Sequence, residues 1–236
     1  MKKKNEINTS YTNTQASNYD EIRFTTKHGL IFHKLEFRQL KKAIKKIKGH
    51  SHILEVGCGT ARFSGYLAQN SFDVIAIDPS QDMIDISKTK FSNVKNIEFK
   101  IAEGAKLPFE KNVFDFTFAI RVMNSTESED YALKSIKEMI RVTKPNGLIL
   151  IEFANKSRPF VRKTGSTFLT FEQITKLAKV NSCSIKMKSG VLVFSQTILE
   201  KIPSPFLSVW SIIERVSAKF LWRFSSRGYI ILKKEI

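Results

Sequence analysis

Between residues 52 and 153 the chain alternates short apolar runs with amphipathic stretches, and this alternation restricts its fold more than any other feature. The apolar runs have the length of strands, and between them apolar residues recur every three or four positions. The pattern predicts strands at 52–57, 73–78, 97–101, 113–120 and 147–153, and helices at 61–70, 80–90 and 128–142. Strands joined through helices form parallel sheets with right-handed crossovers. We therefore expect an α/β fold.

The segments outside this core divide the chain further. Residues 1–18 lack apolar periodicity and are predicted to be a flexible arm, followed by one domain over 19–236. That domain is expected to contain an N-terminal lid at 19–48, a core at 49–155 and a substrate-side part at 156–236. Its outer elements are predicted as a basic amphipathic helix at 30–48, a helix at 170–180, a strand at 184–195, a helix within an insertion at 204–224, and a strand at 228–233.

Composition excludes several classes of protein. The 236 residues are 42% hydrophobic, which is enough for a buried core. Cys58 and Cys183 are the only cysteines, and no Cys/His spacing supplies four ligands, so we expect neither a disulfide framework nor a metal site. Residues 1–10 continue into polar residues, unlike a signal peptide, and no run reaches about 18 apolar residues. We expect a cytoplasmic protein, with any membrane contact peripheral.

The net charge of +17 is unevenly distributed. Residues 1–48 carry +8 and residues 155–236 carry +11, whereas residues 49–154 carry −2. Two basic ends around a nearly neutral centre suit an anionic partner: RNA, an anionic lipid surface or a phosphorylated small molecule. Lysines that only maintain solubility are the alternative.

The first predicted strand runs directly into a glycine loop, Gly57-Cys58-Gly59, and then into a helix. Such a loop brings backbone N–H groups close to a ligand, because no Cβ intervenes. Asp78 ends the next strand 21 residues after Gly57, where a carboxylate can accept hydrogen bonds from both hydroxyls of a ribose. A nucleotide-like cofactor is indicated. Cys58 is interpreted as a small filler of the loop and not as a nucleophile.

Two further residues distinguish between cofactors. A dinucleotide-binding fingerprint would have a third glycine where this chain has Arg62. Glu55 precedes the loop, and a carboxylate there would repel a phosphate and attract an ammonium group.

With Glu55, Gly57, Gly59 and Ala61, the chain resembles the class I S-adenosylmethionine-dependent methyltransferases, in particular the small-molecule branch similar to methyltransferase type 11. Residues 102–109 resemble the family's adenine-binding segment, residues 114–121 its fourth strand, and residues 144–147 its turn before the fifth strand, with Asn146 replacing a glycine. The resemblance implies a Rossmann-like, seven-stranded, mostly parallel sheet with helices on both faces and an antiparallel last strand. It also implies S-adenosylmethionine as cofactor, with contacts from Tyr19, Arg23, Glu55, Gly57, Cys58, Gly59, Asp78, Pro79, Met83, Glu103, Gly104, Ala119 and Arg121.

No catalytic base can be named from the sequence. Transfer from a sulfonium needs a base only when the acceptor is a hydroxyl or a protonated nitrogen. His28 and His33, in the lid, and Asn124, where many relatives have histidine, are weak candidates. His50 and His52 flank the remote end of the first strand and are interpreted as structural.

The methyl acceptor is indicated mainly by the C-terminal insertion. Its apolar residues recur at helical spacing, and they are Phe206, Val209, Trp210, Ile213, Val216, Phe220 and Phe224. Such a helix covers an acceptor pocket, lies on a lipid surface or packs on the protein's own sheet. We favour O- or N-methylation of a small-molecule or lipid-linked acceptor. An RNA methyltransferase and a non-catalytic cofactor-binding protein are the alternatives.

Overall fold

The computed structural model describes residues 26–45, 47, 49–159, 166–193 and 201–236. The predicted arm and the two lid residues Tyr19 and Arg23 lie outside the described residues, as does the side chain of His28. The strands are β1 (His52–Val56), β2 (Asp73–Asp78), β3 (Ile97–Ile101), β4 (Phe114–Ala119), β5 (Thr143–Ala154), β6 (Cys183–Val191) and β7 (Arg227–Lys234). The helices are α1 (Lys27–Ile44), α2 (Arg62–Gln69), α3 (Gln81–Lys90), α4 (Glu129–Val142), α5 (Phe171–Val180) and α6 (Leu207–Phe220).

These seven strands form one sheet in the order β3-β2-β1-β4-β5-β7-β6. The first five pair in parallel, and β7 lies antiparallel between β5 and β6. The mostly parallel α/β sheet with an antiparallel last strand is therefore confirmed. The strand order reverses between β1 and β4, and open α/β sheets bind ligands at the carboxyl ends of the strands at such a switch point.

Helices cover both faces of the sheet. α4 and α5 pack on one face around Phe153, and α1, α2 and α6 pack on the other around Phe116, Phe118 and Tyr229. All four of these side chains are fully buried.

Several element boundaries differ from the predictions, including the end of β6 at Val191 instead of 195. α1 covers Lys27–Ile44 instead of 30–48, because the Thr26 hydroxyl caps it by accepting from the Gly29 N–H at 3.0 Å. The predicted C-terminal helix is divided into a 3₁₀ turn at Ser204–Phe206, α6, and a second 3₁₀ turn at Trp222–Phe224. β5 begins at Thr143 and contains the expected turn residue Asn146, whose φ is +66°.

Candidate functional site

The glycine loop lies at the switch point and is held by the neighbouring strand. The backbone N–H groups of Gly57 and Cys58 both donate to the carbonyl of Ile77, at 2.8 and 2.9 Å. Gly57, Gly59 and Ala61 have φ of +72°, +53° and +55°, so every second residue of the loop is left-handed. The loop therefore turns back on itself before α2 begins.

The two loop glycines are required for different reasons. A Cβ on Gly57 would lie 2.4 Å from Val122 Cγ2, so the neighbouring chain after β4 leaves no space for it. A Cβ on Gly59 would meet nothing within 4 Å. The space in front of Gly59 is thus open, and a ligand can approach its backbone there.

Asp78 ties the loop to the start of α3. Its Oδ2 accepts from the Gly59 N–H at 2.8 Å, and its Oδ1 accepts from the Ser80 N–H at 3.0 Å. The side chain is largely buried, and burial raises the pKa of the carboxyl above its usual value. Each carboxylate oxygen has a second lone pair, so Asp78 can still accept from two ribose hydroxyls. Of the neighbouring predicted contacts, Pro79 is exposed and Met83 is buried.

The sequence predicts that the carboxylate of Glu55 faces an ammonium group of the ligand. In the structure this carboxylate faces α2 instead. The side chain is 1% exposed, and its Oε2 accepts from the backbone N–H of Ser64 at 3.0 Å and from the Ser64 hydroxyl. Burial raises the pKa of Glu55 to about 8, against the opposing effect of these hydrogen bonds. In this structure Glu55 joins the end of β1 to α2, and its contact with a cofactor stays a prediction.

Cys58 is buried inside the loop. Burial, followed by the charges of Asp78 and Glu55, raises the pKa of its thiol well above the usual value. A neutral thiol at this position is a weak nucleophile, which agrees with its interpretation as a filler.

The predicted adenine segment lies beside Asp78, whose carbonyl accepts from the N–H of Ala102 at 3.2 Å. Glu103 is half-buried, and a Cβ on Gly104 would lie 3.1 Å from both Ser135 Oγ and Val56 Cγ1. Gly104 therefore lets this segment approach the end of β1. Ala119, another predicted contact, is fully buried.

A buried acid on α1, which the sequence analysis missed, links this helix to the first residue of α2 and to the turn after β4. Glu36 accepts from Arg62 Nη2 at 2.5 Å and from Arg121 Nε. The two guanidinium groups hold the pKa of Glu36 below its usual value, although burial opposes them. His33, one of the proposed bases, contacts Arg62 Nη1 through Nδ1 at 2.9 Å.

Arg121 is predicted to bind the cofactor, but the structure places it within a buried polar network. Its φ is +65°, its N–H donates to Glu152 Oε2 at 2.6 Å, and the charge of Glu36 raises its pKa despite burial. Glu152 also pairs with Arg227 at 2.9 Å, and the same Arg227 nitrogen donates to Asn124 Oδ1 at 3.0 Å. Asn124 thus orients Arg227.

Glu36 and Glu152 do not stand out as site residues in the sequence analysis, but their positions in the sequence pattern could have identified them. Glu36 occupies a core-facing position of an amphipathic helix, four residues after Phe32 and four before Leu40, and Glu152 interrupts an apolar strand. An acid at such a position needs a buried cationic partner. Among the described residues, we find no group of His, Cys, Asp and Glu that could hold a metal ion. No helix in the described ranges is long and apolar enough to cross a membrane.

Comparison with known proteins identifies the family. Residues 54–151 match the model of a methyltransferase domain. The chain is 31% identical over 138 residues to the demethylmenaquinone methyltransferase of Staphylococcus saprophyticus, across 56% of this chain and 58% of that relative's length. It is 30% identical over 174 residues to the demethylmenaquinone methyltransferase of Staphylococcus haemolyticus, across 72% of this chain and 70% of that relative.

The fold also matches a solved structure, Haemonchus contortus phosphoethanolamine N-methyltransferase 2 in complex with phosphomonomethylethanolamine and S-adenosylhomocysteine. The TM-score is 0.68 at 16% identity, over 96% of this chain and 58% of that one. These similarities point to the same family as the glycine loop, the acid that ends β2 and the order of the sheet. The chain belongs to the class I family of S-adenosylmethionine-dependent methyltransferases.

Proposed function

We propose that this chain transfers the methyl group of S-adenosylmethionine to a lipid-linked acceptor at a membrane surface. The curated relatives named demethylmenaquinone methyltransferases support a lipid-linked quinone as the acceptor class. The observation that carries the membrane part of the proposal is the exposed apolar face of α6.

The residues around the glycine loop fit the proposed cofactor. The open space at Gly59 admits a ligand, Asp78 retains lone pairs for ribose hydroxyls, and Glu103 is accessible for an adenine. S-adenosylmethionine supplies a methyl group on a positively charged sulfur, which is a good leaving group. The contribution of the chain is therefore to align donor and acceptor and to exclude water.

We assign no general base. His33 Nδ1 contacts Arg62, and the side-chain oxygen of Asn124 accepts from Arg227. Each of the two proposed catalytic side chains therefore already contacts an arginine. The side chain of His28 lies outside the described residues.

The outward face of α6 is a row of exposed apolar side chains. We call this row the α6 apolar face, and it consists of Val209, Ile212, Ile213, Val216 and Phe220. Phe206 extends it at one end, and Leu221 and Phe224 extend it at the other. Each is at least 44% exposed, and Phe220 is 78% exposed. One row of this kind on a helix is typical of a surface that meets a partner or a membrane.

The opposite face of α6 already packs against the protein. Leu207 and Trp210 are buried, and Glu214 Oε1 accepts from the backbone N–H of Val193 at 2.9 Å. Of the apolar stripe noted in the sequence, only Trp210 is buried, so packing on the protein's own sheet does not account for the rest.

Charge complementarity favours an anionic bilayer as the occupant. Arg215 and Arg223 are exposed beside the α6 apolar face, and residues 155–236 carry a net charge of +11. A helix with apolar residues on one face and cations beside them lies in the interface of an anionic bilayer.

Methyl transfer to a membrane-borne quinol tests the proposal. The purified chain would receive S-adenosylmethionine labelled in its methyl group and anionic vesicles with or without demethylmenaquinol. We expect label in the lipid fraction only when the quinol is present. Binding of S-adenosylmethionine without transfer to the quinol would refute this acceptor class, and no binding of the cofactor would refute the methyltransferase activity itself.

A further inference from the structure

A small cavity opens at the carboxyl edge of the sheet, beyond β4 and β5. It has a volume of about 140 Å³, and its polar lining consists of Asn124, Arg158, Ser166, Ser226 and Arg227. The glycine loop ends at the same edge, since Gly57 lies against Val122, two residues before Asn124. The cavity therefore adjoins the predicted cofactor site.

Arg158 supplies a cation that the described chain does not neutralise. Its Nε is buried without a hydrogen-bond partner, and its guanidinium lies 5.5 Å from the centre of the Phe168 ring. No carboxylate among the described residues pairs with it. Burial, and then the charge of Arg227, lower its pKa, so both effects disfavour the unpaired cation. A buried N–H without an acceptor is costly, and an anionic ligand would satisfy it.

Arg227 adds a second guanidinium that is held in a fixed orientation. Its Nη1 donates to Glu152 and to Asn124, and Glu152 also accepts from the Arg121 N–H. Glu152 thus balances Arg227 and leaves the charge of Arg158 in excess. Ser166 and Ser226 add hydroxyl groups that can donate to an anion.

We propose that the cavity between Arg158 and Arg227 binds the anionic oxygen group, a carboxylate or phosphate, of a lipid headgroup in the bilayer that carries the acceptor. This inference rests on the proposed function, because it places the cavity at the membrane surface. Guanidinium groups match the geometry of both anions with paired hydrogen bonds. The volume of about 140 Å³ accommodates one such group.

The cavity also connects to the membrane-facing helix. Leu192 lines it, and the next residue, Val193, donates to Glu214 of α6. A lipid held by its anionic headgroup in the cavity would therefore have its apolar part close to the α6 apolar face.

Small probes test the cavity without knowledge of the complete lipid. Dissociation constants of benzoate, phenyl phosphate and neutral benzamide would be measured by calorimetry for the wild type, Arg158→Gln, Arg158→Lys and the exposed control Arg38→Gln. We expect the wild type and R38Q to bind an anion more tightly than benzamide. R158Q should lose about tenfold or more of that affinity, and R158K should retain part of it. Whether benzoate or phenyl phosphate binds more tightly identifies the anion.

S-adenosylmethionine binding, measured in parallel, separates the two proposals. R158Q should bind the cofactor as the wild type does. The cavity inference would be overturned if the wild type bound the cofactor but neither anion, or if R158Q bound the anions as tightly as the wild type does. Either result would leave the proposed function standing. A chain that binds anions through Arg158 but not the cofactor would overturn the proposed function instead. If R158Q does not fold, the comparison of R158K with the wild type decides.

Discussion

Arg121 donates from Nε to the buried carboxylate of Glu36, which lies 85 residues earlier on α1. Because Glu36 also pairs with Arg62 of α2, a single carboxylate holds α1, the helix after the glycine loop and the turn after β4 together. α1 is therefore fixed to the sheet by charge as well as by apolar packing.

Glu36→Gln should remove the negative charge that both guanidinium groups face. Removing one partner of a buried ion pair costs about 3 to 5 kcal/mol, and we expect a loss of this size in the free energy of unfolding, measured by urea denaturation. The pKa of Glu36 is lowered in the folded state, so its contribution is present above the unfolded pKa of about 4.5 and disappears as the pH falls through the folded value. Glu98→Gln, at an exposed pair with Lys100, should cost less than about 1 kcal/mol. Equal effects of the two substitutions would contradict the role of Glu36.

Glu55 should make the protein less stable as the pH rises. Its folded pKa of about 8 lies above the unfolded value of 4.5, so the folded state binds the proton more tightly. The resulting stability is complete below pH 4.5 and is lost as the pH approaches 8, which amounts to about 3 kcal/mol between pH 5 and pH 8. Glu55→Gln keeps an acceptor for Ser64 but cannot titrate, so its free energy of unfolding should fall less over this range. Parallel curves for the two proteins would show that Glu55 does not titrate there.

Alanine substitutions should separate the roles of the two loop glycines. Gly59→Ala places a methyl group in open space at positive φ, so it should cost about 1 to 2 kcal/mol of stability and weaken S-adenosylmethionine binding about tenfold or more. Gly57→Ala adds a clash with Val122 and should destabilise the fold further, and Val122→Ala should relieve part of that loss. Gly49→Ala, at an ordinary contact, serves as control. Normal cofactor affinity in G59A would argue against a ligand at this loop.

The α6 apolar face should contribute to vesicle binding without contributing to stability. Phe220→Ser removes a side chain that is 78% exposed, so we expect weaker flotation with anionic vesicles and little change in unfolding temperature. Val180→Ser is a matched control, because Val180 is 77% exposed and ends α5 near the opposite edge of the sheet, where β6 begins. Equal flotation of the two variants would place the membrane contact elsewhere.

The parallel core could be predicted closely because its signals are local. The strand ending at Val56, the left-handed turn at Asn146 and the glycine loop each follow from short runs of sequence. The polar network could not be predicted in this way, because Glu36, Arg121 and Arg227 are far apart in the chain and meet only when the sheet forms. For the same reason the pairing of Arg121 with Glu36 could not be foreseen, and the contact of Arg121 with the cofactor stays a prediction.

The position of β7 has a consequence for synthesis. Strands β1 to β5 are complete once residue 154 has been made, but the neighbour of β5 is β7, which begins at residue 227. At about 5 to 20 residues per second, the roughly 70 intervening residues take about 4 to 14 s. During that interval the apolar strand β5 has an unpaired edge, and β6 has no strand beside it. The growing chain is therefore most prone to aggregation, and most in need of a chaperone, between the synthesis of β5 and the synthesis of β7.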